Sequence, residues 1–235
     1  MISVKEALEQ LFALTSPLQS ETVLLRAASG RVLAHPVAAT RDQPPFAASA
    51  MDGYAVHASH VRPGAQFQVV GEAAAGRAFD GVVAPGQTAR IFTGAPMPIG
   101  TDRVIIQEDV TRAGTEITLN AALDSRAYVR PAGTDFRIGD RMEAPRLLTP
   151  RDLALLASMN IAEVQVTRRP VVAIIATGDE LVMPGEVPGP DQIIASNGVG
   201  LAAMIEAVGA QARLLPIARD THASLRTAFG LAAGA

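Results

Sequence analysis

Val171-Val172-Ala173-Ile174-Ile175-Ala176, running directly into Thr177-Gly178-Asp179-Glu180-Leu181, is the stretch on which the reading of this chain turns. A continuous apolar run of this kind marks a strand buried on both faces of a parallel sheet. The residues beyond it repeat the grammar of an α/β domain. Ser196-Asn197 caps a helix whose Val199, Met204, Ile205 and Val208 point one way, and Gly209 ends it. Ala212 to Ile217 reads as the next strand, and Asp220 caps a last helix through Leu225 and Phe229. A doubly wound sheet needs further parallel strands to cover its helices, so these two βα units predict an α/β domain, residues 170–235, that is incomplete at its end. In open α/β sheets ligands gather beyond the carboxyl ends of the strands. Thr177, Gly178, Asp179 and Glu180 stand at that end, and Glu180 leads the candidate site residues on these grounds. For Asp179 and Glu180 alike, capping is the competing reading.

Toward the N-terminus the pattern changes twice. Glu163 to Thr167 alternates as a strand, Asn160 closes a helix, and Thr149-Pro150 starts that helix with a cap and a first-turn proline. From Tyr54 to Val129, β-rich pieces recur at Gln66 to Val70, Thr88 to Phe92, Arg103 to Gln107 and Glu116 to Leu119. Turns such as Pro63-Gly64 and Pro85-Gly86 separate them, as in a small β domain. Ahead of these lies Ser49-Ala50-Met51-Asp52-Gly53-Tyr54-Ala55, where a lone carboxylate sits beside a glycine that permits a tight turn presenting it outward. The alternative is a turn aspartate that bonds its own backbone. Ser3-Val4-Lys5-Glu6 reads as a capping box for an opening helix with Ala7, Leu8, Leu11 and Phe12 on one face, ended by Ser16-Pro17.

Composition narrows the chemistry. The 235 residues are 49% hydrophobic and 18% charged with a net charge of -3, so no basic excess recommends a nucleic-acid partner. Zero cysteines exclude disulfides, thiolate zinc sites, iron–sulfur clusters and a cysteine nucleophile, leaving oxygen or imidazole for any metal. No apolar stretch approaches the roughly 20 residues that span a bilayer, and the charged first turn is unlike a signal peptide. The expectation is a soluble, cytoplasmic protein without a membrane partner. His57 and His60 lack a glutamate or cysteine partner and read as surface residues. No GxSxG elbow, Walker-type loop or GxGxxG fingerprint occurs.

SAMDGYA at 49–55, TGAPMP at Thr93 to Pro98 and ATGDEL at Ala176 to Leu181 together resemble the molybdopterin molybdenumtransferase family, the MoeA and gephyrin E-domain group. The resemblance runs almost the length of the chain. It implies a multidomain α+β and α/β fold: an N-terminal helix (1–19) packing with the α/β domain, and a linker and dimerisation domain (20–38 with 140–169). A β-rich domain (39–139) is inserted within the latter, and an incomplete, MogA/MoaB-like doubly wound α/β domain (170–235) follows. Family members continue into a GGVSVG-type loop, KPGKP and GLPGNP segments and a C-terminal β domain.

The function implied by the resemblance is molybdenum cofactor biosynthesis: insertion of molybdate into adenylylated molybdopterin with release of AMP, dependent on Mg²⁺. The family's functional positions fall on Asp52, Thr93, Asp135 and Glu180. Asp52, Glu180 and Asp135 are the expected catalytic residues, with Asp52 and Glu180 also on the metal. Ser49, Thr93, Gly94, Thr177, Gly178, Asp179, Ser196 and Asn197 are the expected substrate contacts. A hard dication takes oxygen ligands and bridges phosphate oxygens, which reconciles bare carboxylates with anionic substrates. Backbone N–H groups at Thr93-Gly94-Ala95 and Ser196-Asn197-Gly198 have the composition to hold the anions. Asp135, near Arg130 and Arg137, has a surface ion pair as its plain alternative. The resemblance further implies a homodimer whose site is shared between subunits, and a molybdopterin adenylyltransferase as upstream supplier. Two other readings stand beside this one, a noncatalytic dimerisation or binding module on the same scaffold and an adenylylating relative.

Overall fold

Gly53-Tyr54-Ala55-Val56, the second half of the segment around Asp52, is strand β1 (Gly53–Val56), and all four residues are buried. The computed structural model describes residues 2–235, which divide into two units. Strand β1 lies in the one that comprises Val37–Met142 and Leu155–Ile161. Its sheet adds β2 (Gln66–Ala73), β3 (Gln87–Ile91), β4 (Arg103–Ile106), β5 (Val110–Ala113) and β6 (Glu116–Leu119), in the order β4-β1-β3-β2-β6-β5. β1 runs antiparallel to both neighbours, with Gly53 opposite Ile91 on one side and Ile106 on the other. β2 and β3 pair in parallel, with a register shift between Val69 and Gly71. Alternation sends Tyr54 and Val56 into one apolar cluster with Phe67, Ile105, Ile117 and Leu119. It sends Ala55 into a second, with Ala73, Ile91, Ala95 and Val104.

Gly53 is therefore not the flexible corner that the sequence suggested. Its φ lies outside the left-handed region, and a Cβ built on it would come 2.0 Å from the Ile105 carbonyl oxygen. Glycine is required because two backbones approach closely inside a sheet.

In the other unit, helix α1 (Val4–Ala13) starts at the expected capping box: the Glu6 amide donates to Ser3 Oγ and the Ser3 amide to Glu6 Oε2. It ends at Ala13, ahead of Ser16-Pro17, and Leu8, Leu11 and Phe12 are exposed. Strands Ser20–Leu24, Glu163–Thr167, Val32–Leu33 and Arg146–Leu147 form an antiparallel sheet in that order. The predicted alternation holds, since Val164 and Val166 are buried while Glu163 and Gln165 are not.

Helix α2 (Pro150–Ser158) begins at Thr149, whose amide and hydroxyl both donate to Asp152 Oδ2, at 2.8 and 2.6 Å. Arg146 adds an ion pair at 2.7 Å to the other oxygen of this buried carboxylate. The Thr149 hydroxyl and amide, then Arg146, pull its pKa down to about 2. Asn160, at φ 65°, turns the chain out of the helix as its sequence position suggested.

The α/β grammar is partly realised. Strand β7 (Val171–Ile174) pairs in parallel with β8 (Gln211–Leu214), and helices α3 (Asn197–Ala207) and α4 (His222–Ala232) accompany them. Within this βα stretch, three expectations are corrected. The apolar run is a strand only as far as Ile174, and only Ile174 is buried, because among the described residues β7 pairs with a single parallel neighbour. In α3 the buried residues are Gly198 and Ala202, whereas Val199, Met204 and Val208 are exposed. The helix seats by its small residues: a Cβ on Gly198 would meet Leu214 Cδ2 at 3.1 Å. In α4 the cap is Thr221, not Asp220, with the Ser224 amide donating to Thr221 Oγ1, and Ala228 is buried where Phe229 is exposed. No described helix is long and apolar enough to cross a membrane.

Two measurements check the packing and the electrostatics. Gly53→Ala forces the Ile105 backbone outward and lowers stability by about 3 kcal/mol, whereas Gly64→Ala, in open space at φ +75°, lowers it by only ~1 kcal/mol. Urea unfolding midpoints read both, and equal shifts would contradict the close-approach explanation. Asp152 has a folded pKa below its unfolded one, so its stabilisation is complete above the ordinary carboxyl pKa of 3.8 and is lost as pH falls toward about 2. In Asp152→Asn the pH dependence of the unfolding midpoint flattens over that window.

Candidate functional site

Asp52 immediately precedes β1, and Thr93 lies two residues past the end of β3. The pairing of Gly53 with Ile91 therefore brings the two segments together. Asp52 Oδ1 accepts both the Thr93 amide and the Thr93 hydroxyl, each at 2.8 Å. Two motifs 41 residues apart are thus joined through one carboxylate oxygen, which is not the self-bonded turn aspartate that was the alternative. Among the described residues, Oδ2 has no protein donor. The Thr93 amide first, then its hydroxyl and the charge of Arg90, hold the carboxyl below its ordinary range, so Asp52 is anionic at neutral pH. Arg90 does not bond the carboxylate. Its guanidinium stacks on Tyr54 and Phe92 and donates to the Gly53 carbonyl at 3.2 Å and to Gln107 Oε1 at 2.7 Å.

Ser49 and Gly94 join the same site with their polar groups already engaged. The buried Ser49 hydroxyl donates to the Met51 carbonyl at 2.5 Å, and the Gly94 amide donates to the Ser49 carbonyl at 2.8 Å. The Ala95 amide donates to Phe92, so all three amides of Thr93-Gly94-Ala95 are consumed within the protein. This corrects the expectation that they form a free anion cradle. Gly94 serves the turn through its φ of +81°. A cavity of about 500 Å³ opens here, lined by Ser49, Thr93 and Gly94 together with Arg41, Phe46 and Arg130. Asp135 is engaged by Arg130 at 2.7 Å, the ion pair that was its plain alternative, and so holds this guanidinium of the cavity wall.

In the α/β part, Gly178 adopts φ +147°, and the Glu180 carboxylate lies over it: a Cβ there would come 2.5 Å from Oε2. Among the described residues, no protein donor reaches the Glu180 carboxylate. Asp179 Oδ1 accepts the Asp220 amide at 3.2 Å. Thr177, Ser196 and Asn197 come together on a cavity of about 340 Å³ that Gly198 and Leu201 also line, and Gly178, Asp179 and Glu180 do not line it. Ser196 holds the N-cap position of α3 but its side chain makes no capping bond, so its hydroxyl stays uncommitted. Sequence reasoning missed Arg90 and Arg219. Arg219 Nη1 reaches the carbonyls of Gly178, Asp179 and Leu181 at 3.2, 2.9 and 3.0 Å. Its position just beyond the carboxyl end of β8 was a usable signal, since the rule that singled out Glu180 applies there equally.

Among the described residues, no group of three or more His, Asp or Glu side chains could hold a metal ion. Asp52 and Glu180 each offer an isolated carboxylate with an unengaged oxygen. Each carboxylate, taken on its own unit, is of the kind that suits Mg²⁺, which keeps several waters and is commonly bound through one or two carboxylates plus substrate phosphates.

Residues 2–160 match the family model of the MoeA N-terminal region (domain I and II). The chain is 38% identical over 235 residues to the molybdopterin molybdenumtransferase of Nostoc sp., a match covering 96% of this chain and 54% of that relative. To the molybdopterin molybdenumtransferase of Haemophilus influenzae it is 35% identical over 233 residues, covering 97% and 57%. A solved structure of the molybdopterin biosynthesis MoeA protein from Pyrococcus horikosii superposes with a TM-score of 0.87 at 31% identity, covering 99% of this chain and 61% of that one. Another, from Pyrococcus horikoshii OT3, gives 0.87 at 28% identity, covering 99% and 65%. The chain spans about half the length of the curated relatives it matches.

Thr93→Val removes the hydroxyl and keeps the amide, so the pKa of Asp52 rises toward its ordinary value without reaching it. A carboxyl-carbon NMR titration reads the change. Because the folded pKa is the lower one, the stabilisation from this pair is present above the ordinary carboxyl range and fades as pH falls through the folded value. An unmoved Asp52 titration in the variant would show that the hydroxyl bond contributes nothing.

Proposed function

Because the chain belongs to the MoeA family, we propose that it carries part of a molybdopterin molybdenumtransferase, which inserts molybdate into adenylylated molybdopterin and releases AMP. The observation that carries this reading is the carboxylate of Asp52, ionised and oriented on one oxygen by Thr93 and open on the other. Glu180, on its own unit, presents a carboxylate that no protein donor reaches among the described residues. Both substrates are anionic, and an acid would repel them unless a cation intervenes. Mg²⁺ would supply that cation, offsetting the charge of the substrate phosphates. Asp52 and Glu180 are the donors that fit it.

The chain's own residues do the remaining work by positioning. Thr93 keeps Asp52 deprotonated and fixed, while Asp135 fixes Arg130, whose guanidinium is suited to planar oxyanion recognition at the cavity wall. Ser196 and Asn197, at the start of α3 beside Thr177, offer an uncommitted hydroxyl and an amide side chain to the pterin substrate. The α/β part is read as the counterpart of a MogA/MoaB-like doubly wound domain. The working protein is a cytoplasmic homodimer whose site is shared between subunits, with a molybdopterin adenylyltransferase supplying its substrate.

The test is molybdenum incorporation and AMP release by the full-length protein. Asp52→Ala and Glu180→Ala each lower kcat/KM by at least about 100-fold, and chelation of Mg²⁺ stops turnover in the unmodified protein. Undiminished transfer by either variant would overturn the assignment of that residue, and undiminished transfer by both would overturn the proposal.

A further inference from the structure

Three of the four main-chain carbonyls of the turn at residues 178–181 share one donor atom. Those of Gly178, Asp179 and Leu181 converge on Arg219 Nη1 at 3.2, 2.9 and 3.0 Å. Carbonyl oxygens carry partial negative charge, and three of them pointing to one spot repel each other unless a cation or several donors lie between them. The turn also requires a backbone that few residues adopt, with Gly178 at φ +147°. The connection carrying Arg219 is itself fixed: its amide donates to Ser224 Oγ at 2.8 Å, and the next amide, that of Asp220, donates to Asp179 Oδ1. The Ile193 amide completes the set by donating to the Glu180 carbonyl at 2.8 Å.

All of these bonds end on the main chain, on Asp179 or on Ser224 Oγ. None reaches the Glu180 carboxylate, which occupies the space a Cβ on Gly178 would need and has its oxygens free of protein donors among the described residues. We infer that Arg219 is a positioning residue for Glu180: its guanidinium closes the 178–181 turn through the carbonyls and so orients the Glu180 carboxylate without neutralising it. The inference rests on the reading of Glu180 as a working carboxylate in the proposed transferase. Arg219 acts through the turn and touches no reacting atom.

Because the three acceptors meet at one nitrogen, a lysine ammonium, with three donors on a single nitrogen, is the chemical replacement, whereas methionine retains bulk and loses every donor. Arg219→Met, Arg219→Lys, Glu180→Gln and the Arg219→Met/Glu180→Gln double variant are therefore compared in the full-length protein. The first readout is amide hydrogen exchange. In Arg219→Met the amides of Asp220 and Ile193 exchange roughly tenfold faster, while those of β1 and β3 are unchanged. Unchanged exchange at Asp220 and Ile193 overturns the clamp whatever the activities show.

The second readout is kinetic. Arg219→Met lowers kcat by about 100-fold, the loss expected for a displaced functional group, with KM for the adenylylated pterin within about twofold. Arg219→Lys recovers at least about tenfold of that loss by restoring charge and donors. The double variant is no worse than Glu180→Gln alone, since both changes disable the same group. Losses that multiply in the double variant would mean that Arg219 acts independently, and they overturn the inference. If Glu180→Gln is fully active, the transferase reading of Glu180 fails. The exchange data then still decide whether Arg219 holds the turn, and the positioning claim falls with Glu180.

Discussion

The close approach of two backbones at Gly53 is the constraint from which the β unit is built. A strand flanked by antiparallel partners at Ile91 and Ile106 tolerates no Cβ where the Ile105 carbonyl stands 2.0 Å from the position it would occupy. Tight pairing then lets the two faces of β1 feed separate clusters, Tyr54 and Val56 on one side and Ala55 on the other. The same pairing decides where the residue before the strand ends up. With Gly53 held opposite Ile91, Asp52 has Thr93 as its neighbour, and the carboxylate is aimed by main-chain register before its side chain makes any bond. The geometry of the candidate site in this unit is thus a by-product of how its central strand is packed.

Physical causes lie behind both the legible and the hidden parts of the fold. The helix starts at Ser3 and Thr149 and the left-handed exit at Asn160 were readable because caps and turn residues act within a few positions of themselves. So were four of the strands of the β unit, which alternate between turn signals. The reading failed where burial depends on distant partners. The apolar run at 171–176 was expected to be the strand covered on both faces, yet that description belongs to the short Gly53–Val56 segment, which looked like a turn because of its glycine. Helix α3 misled for a related reason. Its bulky apolar residues mark a face, but close seating on Leu214 selects the small residues Gly198 and Ala202.

Of the candidate site, the residues that act by local identity were legible and those that act by reach were not. Asp52, Thr93, Asp135 and Glu180 stand in recognisable segments. Arg90 and Arg219 do not, because an arginine's partner is fixed by the path of the surrounding chain and not by spacing. The anion cradle expected at Thr93-Gly94-Ala95 failed on the same principle. Glycine-rich composition predicts free amides only if the loop does not use them itself, and here Asp52, Ser49 and Phe92 take all three.

The arginines show how an acid is kept available. A guanidinium paired directly with a carboxylate neutralises it, as Arg130 does to Asp135. At Asp52 and Glu180 the nearby guanidinium is directed elsewhere. Arg90 donates to the carbonyl of Gly53, the residue after Asp52, and Arg219 donates to carbonyls on both sides of Glu180. In both places the positive charge braces the main chain that carries the acid. Neither carboxylate is paired with a cation among the described residues, and at least one oxygen of each accepts no hydrogen bond from the protein. An acid needed only for folding gains most from a direct pair, as Asp152 does with Thr149 and Arg146. An acid needed as a cation ligand must instead be ionised, held in place and left unpaired. Bracing of the adjacent main chain by an arginine, with no direct pair to the carboxylate, is what sets Asp52 and Glu180 apart from Asp135 and Asp152.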